Sequence, residues 1–217
     1  MKTKMTFKSF LNDFLLFPKY LLFHPFNGFD DFKRYKKGKL KVALAFILLF
    51  ALLRIVIFQY ESILINTNDP LTLNSLSEIF SVILLIMLFS VGNWSVTTLM
   101  EGKGNYKEIL MVTGYALFPV VIIGFPAVLL SNLLTLEEMP FYTLIVGISY
   151  AAAGWMLFTG ILNIHQYGLF KTILAFIATV VAMSVMMFVG LLFFDLIQQF
   201  ISFVSAIYEE LSLRFRG

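Results

Sequence analysis

Five stretches of this chain are each apolar for long enough to cross a membrane, which takes about 20 residues for about 30 Å of hydrocarbon. They cover residues 42–63, 79–99, 109–130, 141–162 and 169–194. Such runs have no water-facing side, and the composition agrees: 59% of the 217 residues are hydrophobic and only 13% are charged. A soluble domain carries roughly 25% charged residues, so this chain lacks the charge to coat a water-facing surface. A soluble fold, a disordered tail and a nucleic-acid binder are excluded. The expected fold is all-α: a polytopic membrane protein, a bundle of five transmembrane helices with amphipathic helices at its N- and C-terminal ends.

Lys and Arg set the orientation of such a bundle. Ten of the sixteen lie before the first span, from Lys2 to Lys41. The next connection has only acids (Glu61, Asp69, Glu78), the third region has Lys103 and Lys107, the fourth Glu137 and Glu138, and the fifth Lys171. The alternation of basic and acidic connections predicts a cytoplasmic N-terminus and a C-terminus across the membrane, although Arg214 and Arg216 run against it. The chain divides accordingly into a cytoplasmic basic segment (1–41), a five-span membrane domain (42–206) and a short tail (207–217). The first forty residues are polar, basic and aromatic, unlike a cleaved signal peptide, so they are expected to be retained.

Phe7, Phe10, Leu11, Phe14 and Leu15 share one helical face, Lys4, Lys8, Asn12 and Asp13 take the other, and Pro18 is expected to close the run. A basic helix of this kind suits the membrane–water interface. The following "FHPFNGFDDFKRYKKGK" reads as headgroup-level anchoring, or as a docking site for anionic lipid or a cytoplasmic partner. At the other end Ile197, Phe200, Ile201, Val204, Tyr208 and Leu211 face one way and Gln198, Gln199, Ser202, Ser205, Glu209 and Glu210 largely the other. This second amphipathic stretch either continues span five outside the bilayer or bends along its surface.

A few polar residues stand inside the spans. Arg54 lies 13 residues past Lys41, about 20 Å deep at 1.5 Å per residue. An intramembrane charge calls for a partner or a route to water; Glu61 and Asp195 are the candidate partners, and snorkelling is the alternative. Asn93, Trp94, Thr97 and Thr98 crowd the lysine-side end of span two, where polar groups can bond across helices. Gly147, Ala151 and Gly154 form a small-residue stripe on span four that would permit close packing. Pro119 removes a backbone donor in span three, so a kink is expected between Tyr115 and Pro119. The glycines of "EGKGNYK" (residues 101–107) read as a tight turn.

Chemistry is sparse. There is no cysteine, and His24 and His165 form no HExxH motif. No Walker, Rossmann or GxSxG pattern is complete, and adjacent Glu137 and Glu138 make a poor acid–base pair. The reading is of a protein that is not an enzyme, with no cofactor and no metal.

The segment "NWSVTTLMEGKGNYKEILMVTGYALFP" (93–119), with Gly114, Tyr115 and Pro119 in its "GYALFP", resembles the Gly-Tyr-x-x-x-Pro third span of the Ypt-interacting protein (Yip) domain family. "HPFNGFDDFK" before span one and "HQYGLFKTILA" opening span five look like its bacterial branch. The resemblance covers about residues 20–205 and implies a non-catalytic, five-span inner-membrane protein. In eukaryotes it implies binding of Rab-type GTPases, but the acidic Asp-Leu-Tyr-Gly-Pro element that accompanies this role is missing here. In bacteria it implies accessory proteins often associated with transport systems. The expectation is therefore a scaffold or accessory acting in the lipid bilayer through protein partners, plausibly subunits of an ABC-type transporter, in a bacterial inner membrane. The competing class is a small-solute transporter or channel in its own right, and the oligomeric state stays open. Lys103, Tyr106, Lys107, His165 and Tyr167 are the candidate docking residues, where two cytoplasmic turns converge.

Overall fold

Across lipid every backbone group must be satisfied within the segment, and the computed structural model forms five helices long and apolar enough to cross a membrane. It describes residues 11–216, apart from the side chains of Arg214 and Arg216. The expected N-terminal helix positions Lys4, Phe7, Lys8 and Phe10 lie outside the described residues. Among the described residues two α-helices precede the first span, α1 (Phe17–Phe23) and α2 (Pro25–Arg34). Span one is α3 (Leu40–Tyr60) and span two α4 (Ser75–Leu99). Span three is divided into α5 (Tyr106–Ala116) and α6 (Phe118–Ser131). Span four is α7 (Met139–His165) and span five α8 (Leu169–Arg216). The protein is an all-α, polytopic membrane protein. Its five crossings leave a lysine-rich end, carrying α1, α2 and the connections at 100–105 and 166–168, and an acidic end opposite.

Pro18 does not close the first helix, contrary to the sequence expectation. A π-helical turn over Asn12–Leu16 precedes it and the helix runs on to Phe23. The i→i+5 bonding of a π turn absorbs the register change that a proline forces on the chain before it. Nor is the aromatic stretch after it confined to the headgroups. Leu21 and Phe29 are fully buried and Phe32 nearly so, in one core cluster with Phe46, Val112, Tyr115 and Met156. Pro25 starts α2, and its Lys33 and Arg34 fall in the last turn, favourable against the helix dipole. The helix packs on α7. Asp13 is also buried, ion-paired to Lys39 Nζ at 2.5 Å.

Span three is the centre of the bundle. It packs on spans one, two and four, and it is far more buried than any other span. Gly114 lets α5 lie directly on α3: a Cβ there would sit 2.6 Å from the Ala43 carbonyl oxygen. Tyr115 has no exposed surface. Its ring meets Phe17 at 5.9 Å, Phe32 at 5.5 Å and Phe46 at 6.0 Å, and its hydroxyl accepts the Lys39 N–H at 3.2 Å. That bond satisfies a backbone donor where α3 begins. The helix is interrupted at Leu117, whose N–H turns to Gly114 O at 3.2 Å, and Pro119 stands in the first turn of α6. Pro126, by contrast, sits inside α6 without ending it.

Two expectations fail on packing. The stripe of Gly147, Ala151 and Gly154 does not mediate contact within the bundle: all three are exposed and nothing lies within 4 Å of a Cβ built on either glycine. The close-approach glycines are instead Gly114, Gly124 against Leu53 and Gly160 against Val112. The partner of Arg54 is neither Glu61 nor Asp195. Its Nε lies 3.5 Å from Glu78 in the first turn of α4. Glu61 accepts the Tyr142 hydroxyl at 2.5 Å, and Asp195 accepts Gln199 Nε2 at 2.9 Å one turn along α8. Arg54 and Glu78 both sit within two turns of the acidic end of their helices, which is why antiparallel neighbours bring them together.

The second amphipathic stretch is continuous with span five. At 48 residues and 1.5 Å each, α8 is about 72 Å long. Its first half packs on α4, where Asn93 Nδ2 donates to Thr179 Oγ1 at 3.0 Å and Phe89 meets Phe176. Thr179 is the last of its buried residues among those described.

Candidate partner-docking site

The lysine-rich end is a fitted surface. Glu101 ends α4 in the left-handed region (φ 58°), and the Gly102 N–H returns to Thr97 O at 2.7 Å. Gln166 ends α7 in the same way (φ 55°), with its own N–H on Asn163 O and that of Tyr167 on Leu162 O. Both are Schellman-type ends, where glycine is usual; here the positive φ falls on residues with side chains, at a cost of about 1 kcal/mol each.

Gly102 and Gly104 are not glycine for their conformation, as the turn reading held. Neither has positive φ. They are glycine because the 101–105 loop lies flat on His165 and Tyr167: a Cβ on Gly102 would meet the Tyr167 hydroxyl at 2.6 Å, and one on Gly104 would meet His165 Cε1 at 2.8 Å. The Gly104 N–H donates to His165 Nδ1 at 3.2 Å, so the ring accepts there and carries its proton on Nε2. The Tyr167 hydroxyl lies 3.2 Å from both Thr97 O and Met100 O. The His165 and Tyr167 rings stack at 5.3 Å, and Lys171 stands 4.6 Å above the Tyr167 ring. Burial, with the Glu101 charge adding to it, holds the Tyr167 phenol above its ordinary range.

Lys33 locks the two turns together. Its Nζ donates to Ile164 O and, at 3.2 Å, to Lys103 O. Burial pulls its pKa down, against the opposing pull of Glu108, and the Lys103 charge lowers it further. Lys103 Nζ then reaches Gln166 Oε1 at 2.8 Å. Asn105 and Glu108 form a capping box at the start of α5, the side chain of each accepting the other's N–H at 2.9 Å and 3.1 Å.

The structure therefore brings Lys103, His165 and Tyr167 together, in unequal roles. His165 and Tyr167 are 1% and 7% exposed, so they hold the loop and do not present themselves to a partner. Tyr106 turns along the bundle, its ring 6.2 Å from Trp94 and its hydroxyl 3.3 Å from Met87 Sδ, instead of projecting beyond the headgroups. Lys103 and Lys107 are exposed, joined by Glu101 and Gln166. Asn93 belongs to the helix interface with α8, and buried Thr97 turns its hydroxyl back to Asn93 O at 2.6 Å within α4. Asp195 stands far from this face, beyond Thr179 on α8. Lys33, Glu101 and Gln166 lie in segments that the sequence marks for this face, but nothing in the sequence singles them out directly. The i, i+3 pair Phe29 and Phe32 was the available signal that α2 packs inward and carries Lys33 with it.

At the acidic end a groove of about 920 Å³ opens between α3 and α6. Several of its polar groups are already paired: Asn66 Nδ2 bonds Phe58 O, Asn132 Nδ2 bonds Tyr60 O, and Glu61 is held by Tyr142. Among the described residues no cluster of His, Asp and Glu could hold a metal ion.

These features define a five-span helical bundle whose lysine-rich end is closely fitted, its two turns bonded to each other. The chain belongs to the Yip1 domain family, which matches residues 19–194, from within α1 to the middle of α8. The match is to the domain as a whole and marks no bacterial branch. No curated protein and no solved structure matches the chain. The protein is thus a Yip-like multi-pass membrane protein that acts through protein contacts and is not an enzyme.

Proposed function

We propose that this protein is an accessory or scaffold of the bacterial cytoplasmic membrane, with its N-terminus inside and its C-terminus outside. It recruits its partner, a subunit of an ABC-type transport system, through the exposed Glu101, Lys103, Lys107 and Gln166. One observation carries the reading: the loop bearing Glu101 and Lys103 is pinned by Lys33, His165 and Tyr167 onto the turn that bears Gln166. A loop already ordered loses little conformational freedom on binding. The orientation rests on the lysine distribution, and the partner class on the transport association that the bacterial-type resemblance implies.

Orientation is tested by single-cysteine labelling of this cysteine-free chain. Gly104 is unsuitable, since any side chain there strikes His165; Lys103→Cys and Asn68→Cys are both at exposed positions. A membrane-impermeant maleimide should label Asn68→Cys in intact cells and Lys103→Cys only after permeabilisation. The opposite pattern inverts the topology.

Docking is tested by exchanging charges within the loop. Glu101→Lys with Lys103→Glu keeps the net charge and changes only exposed side chains, so stability should stay within about 0.5 kcal/mol. Recovery of the native partner by co-purification should fall about tenfold, a loss of about 1.4 kcal/mol. Unchanged recovery would remove this loop from the contact surface.

A further inference from the structure

A cavity of about 250 Å³ lies beside the loop, between the end of α2, the start of α3 and the first turn of α5. Lys33, Lys36 and Lys107 line it against a single acid, Glu108, one of whose oxygens already accepts the Asn105 N–H. Lys36 and Lys107 are exposed and, among the described residues, neither has an ion pair or hydrogen bond. Lys36 is held with φ 51°, a left-handed conformation that a lysine adopts only under constraint. The floor is apolar, made by Phe32, Leu40 and Met111. Leu40 is the first residue of the first span, so the cavity stands at the membrane boundary.

A second, wholly apolar groove of about 220 Å³ begins one helical turn deeper, between α3, α4 and α5. Leu44, Leu48, Ile83 and Met87 line it, each between 43% and 53% exposed and so open to the bilayer. The two recesses have no lining residue in common but follow one another along α3 and α5. Leu40 stands one turn above Leu44 on α3, and Lys107 one turn above Leu110, which also lines the groove, on α5. A cationic recess at the rim running into a hydrocarbon groove fits an amphiphile with an anionic head. A free anion would use only the upper part, and a partner helix only the lower.

The geometry points to a binding site for an anionic phospholipid of the leaflet on the lysine-rich side, with its phosphate among Lys33, Lys36 and Lys107 and one acyl chain along Leu44 and Leu48. Charge complementarity selects the headgroup, and the apolar groove holds the chain without selecting it. This lipid site shares Lys107 with the protein contact proposed above, but it does not rest on that contact and is read on the purified protein alone.

The test is native mass spectrometry of the full chain in detergent, titrated with phosphatidylglycerol or with phosphatidylcholine of the same acyl chains. Two surface lysines contribute enough to make the preference for phosphatidylglycerol about 30-fold. Lys36→Ala with Lys107→Ala should abolish that preference while leaving the melting temperature unchanged, since both side chains are exposed and unpaired. Leu48→Trp, which fills the groove, should weaken both lipids. Equal binding of the two lipids by the parent protein, or an unchanged preference in the lysine variant, overturns the site. Displacement of phosphatidylglycerol by millimolar inorganic phosphate, with Leu48→Trp having no effect, would make it a free-anion site and overturn the lipid assignment.

Discussion

Gly114→Val should leave little folded protein in the membrane. The added side chain would begin 2.6 Å from the Ala43 carbonyl oxygen and 2.8 Å from Ala43 Cα, and backbone cannot swing aside as a side chain can. Separating α5 from α3 also opens the contacts of the most buried span. Overpacking costs about 1–3 kcal/mol where the core relaxes, and a rigid backbone clash belongs at the top of that range. Gly147→Val is the matched control, because it adds the same atoms where nothing lies within 4 Å. The measurement is the yield of monodisperse protein and its unfolding temperature in detergent. Equal behaviour of the two variants would show that α3 and α5 do not cross at this glycine.

Tyr115→Ala should cost about 3–5 kcal/mol, the range for emptying a large aromatic site, and its effect should have a direction. Phe17 and Phe32 lose their shared ring, and Lys39 loses the acceptor for its N–H. Helices α1 and α2 should therefore loosen from the bundle before the spans do. Limited proteolysis would read this as early cleavage within residues 17–39. Tyr115→Phe keeps the rings and removes only the hydroxyl, so it should cost about 1 kcal/mol and leave the protease pattern unchanged. Cleavage within the spans as early as within 17–39 would refute the ordered loosening.

These two residues also show what is readable in a chain of this kind. Number, position and type of the spans follow from apolar length alone, and Gly114, Tyr115 and Pro119 stand out as a motif. Packing partners are another matter. An exposed glycine and a packed glycine look alike in sequence, so Gly147 and Gly154 were assigned to an interface that Gly114, Gly124 and Gly160 in fact make. In a membrane protein both the core and the lipid face are apolar, so the hydrophobic pattern does not say which side of a span turns inward. Arg54 meets the same difficulty: Glu61 on its own helix and Asp195 on span five are both candidates by sequence, whereas the partner is Glu78 of the antiparallel span two. On the lysine-rich face, Lys103 and Lys107 were legible as exposed charges. That Lys33, one of ten similar cations, turns inward to carbonyls has only an indirect signal, the i, i+3 pair Phe29 and Phe32, whose burial fixes the rotation of α2.

The unbroken course of α8 has a practical side. Met183 and Met186 still lie against Gly92 of α4, and beyond them the helix runs on without a break to Arg216. A soluble domain spliced onto it in helical register would share its axis and carry no slack linker. Each residue added or removed at the junction moves such a domain by 1.5 Å and turns it by about 100°. The helix is in effect a graduated mount, on which an imaging fiducial could be set to a chosen height and azimuth while the lysine-rich face, at the opposite end of the bundle, stays unencumbered.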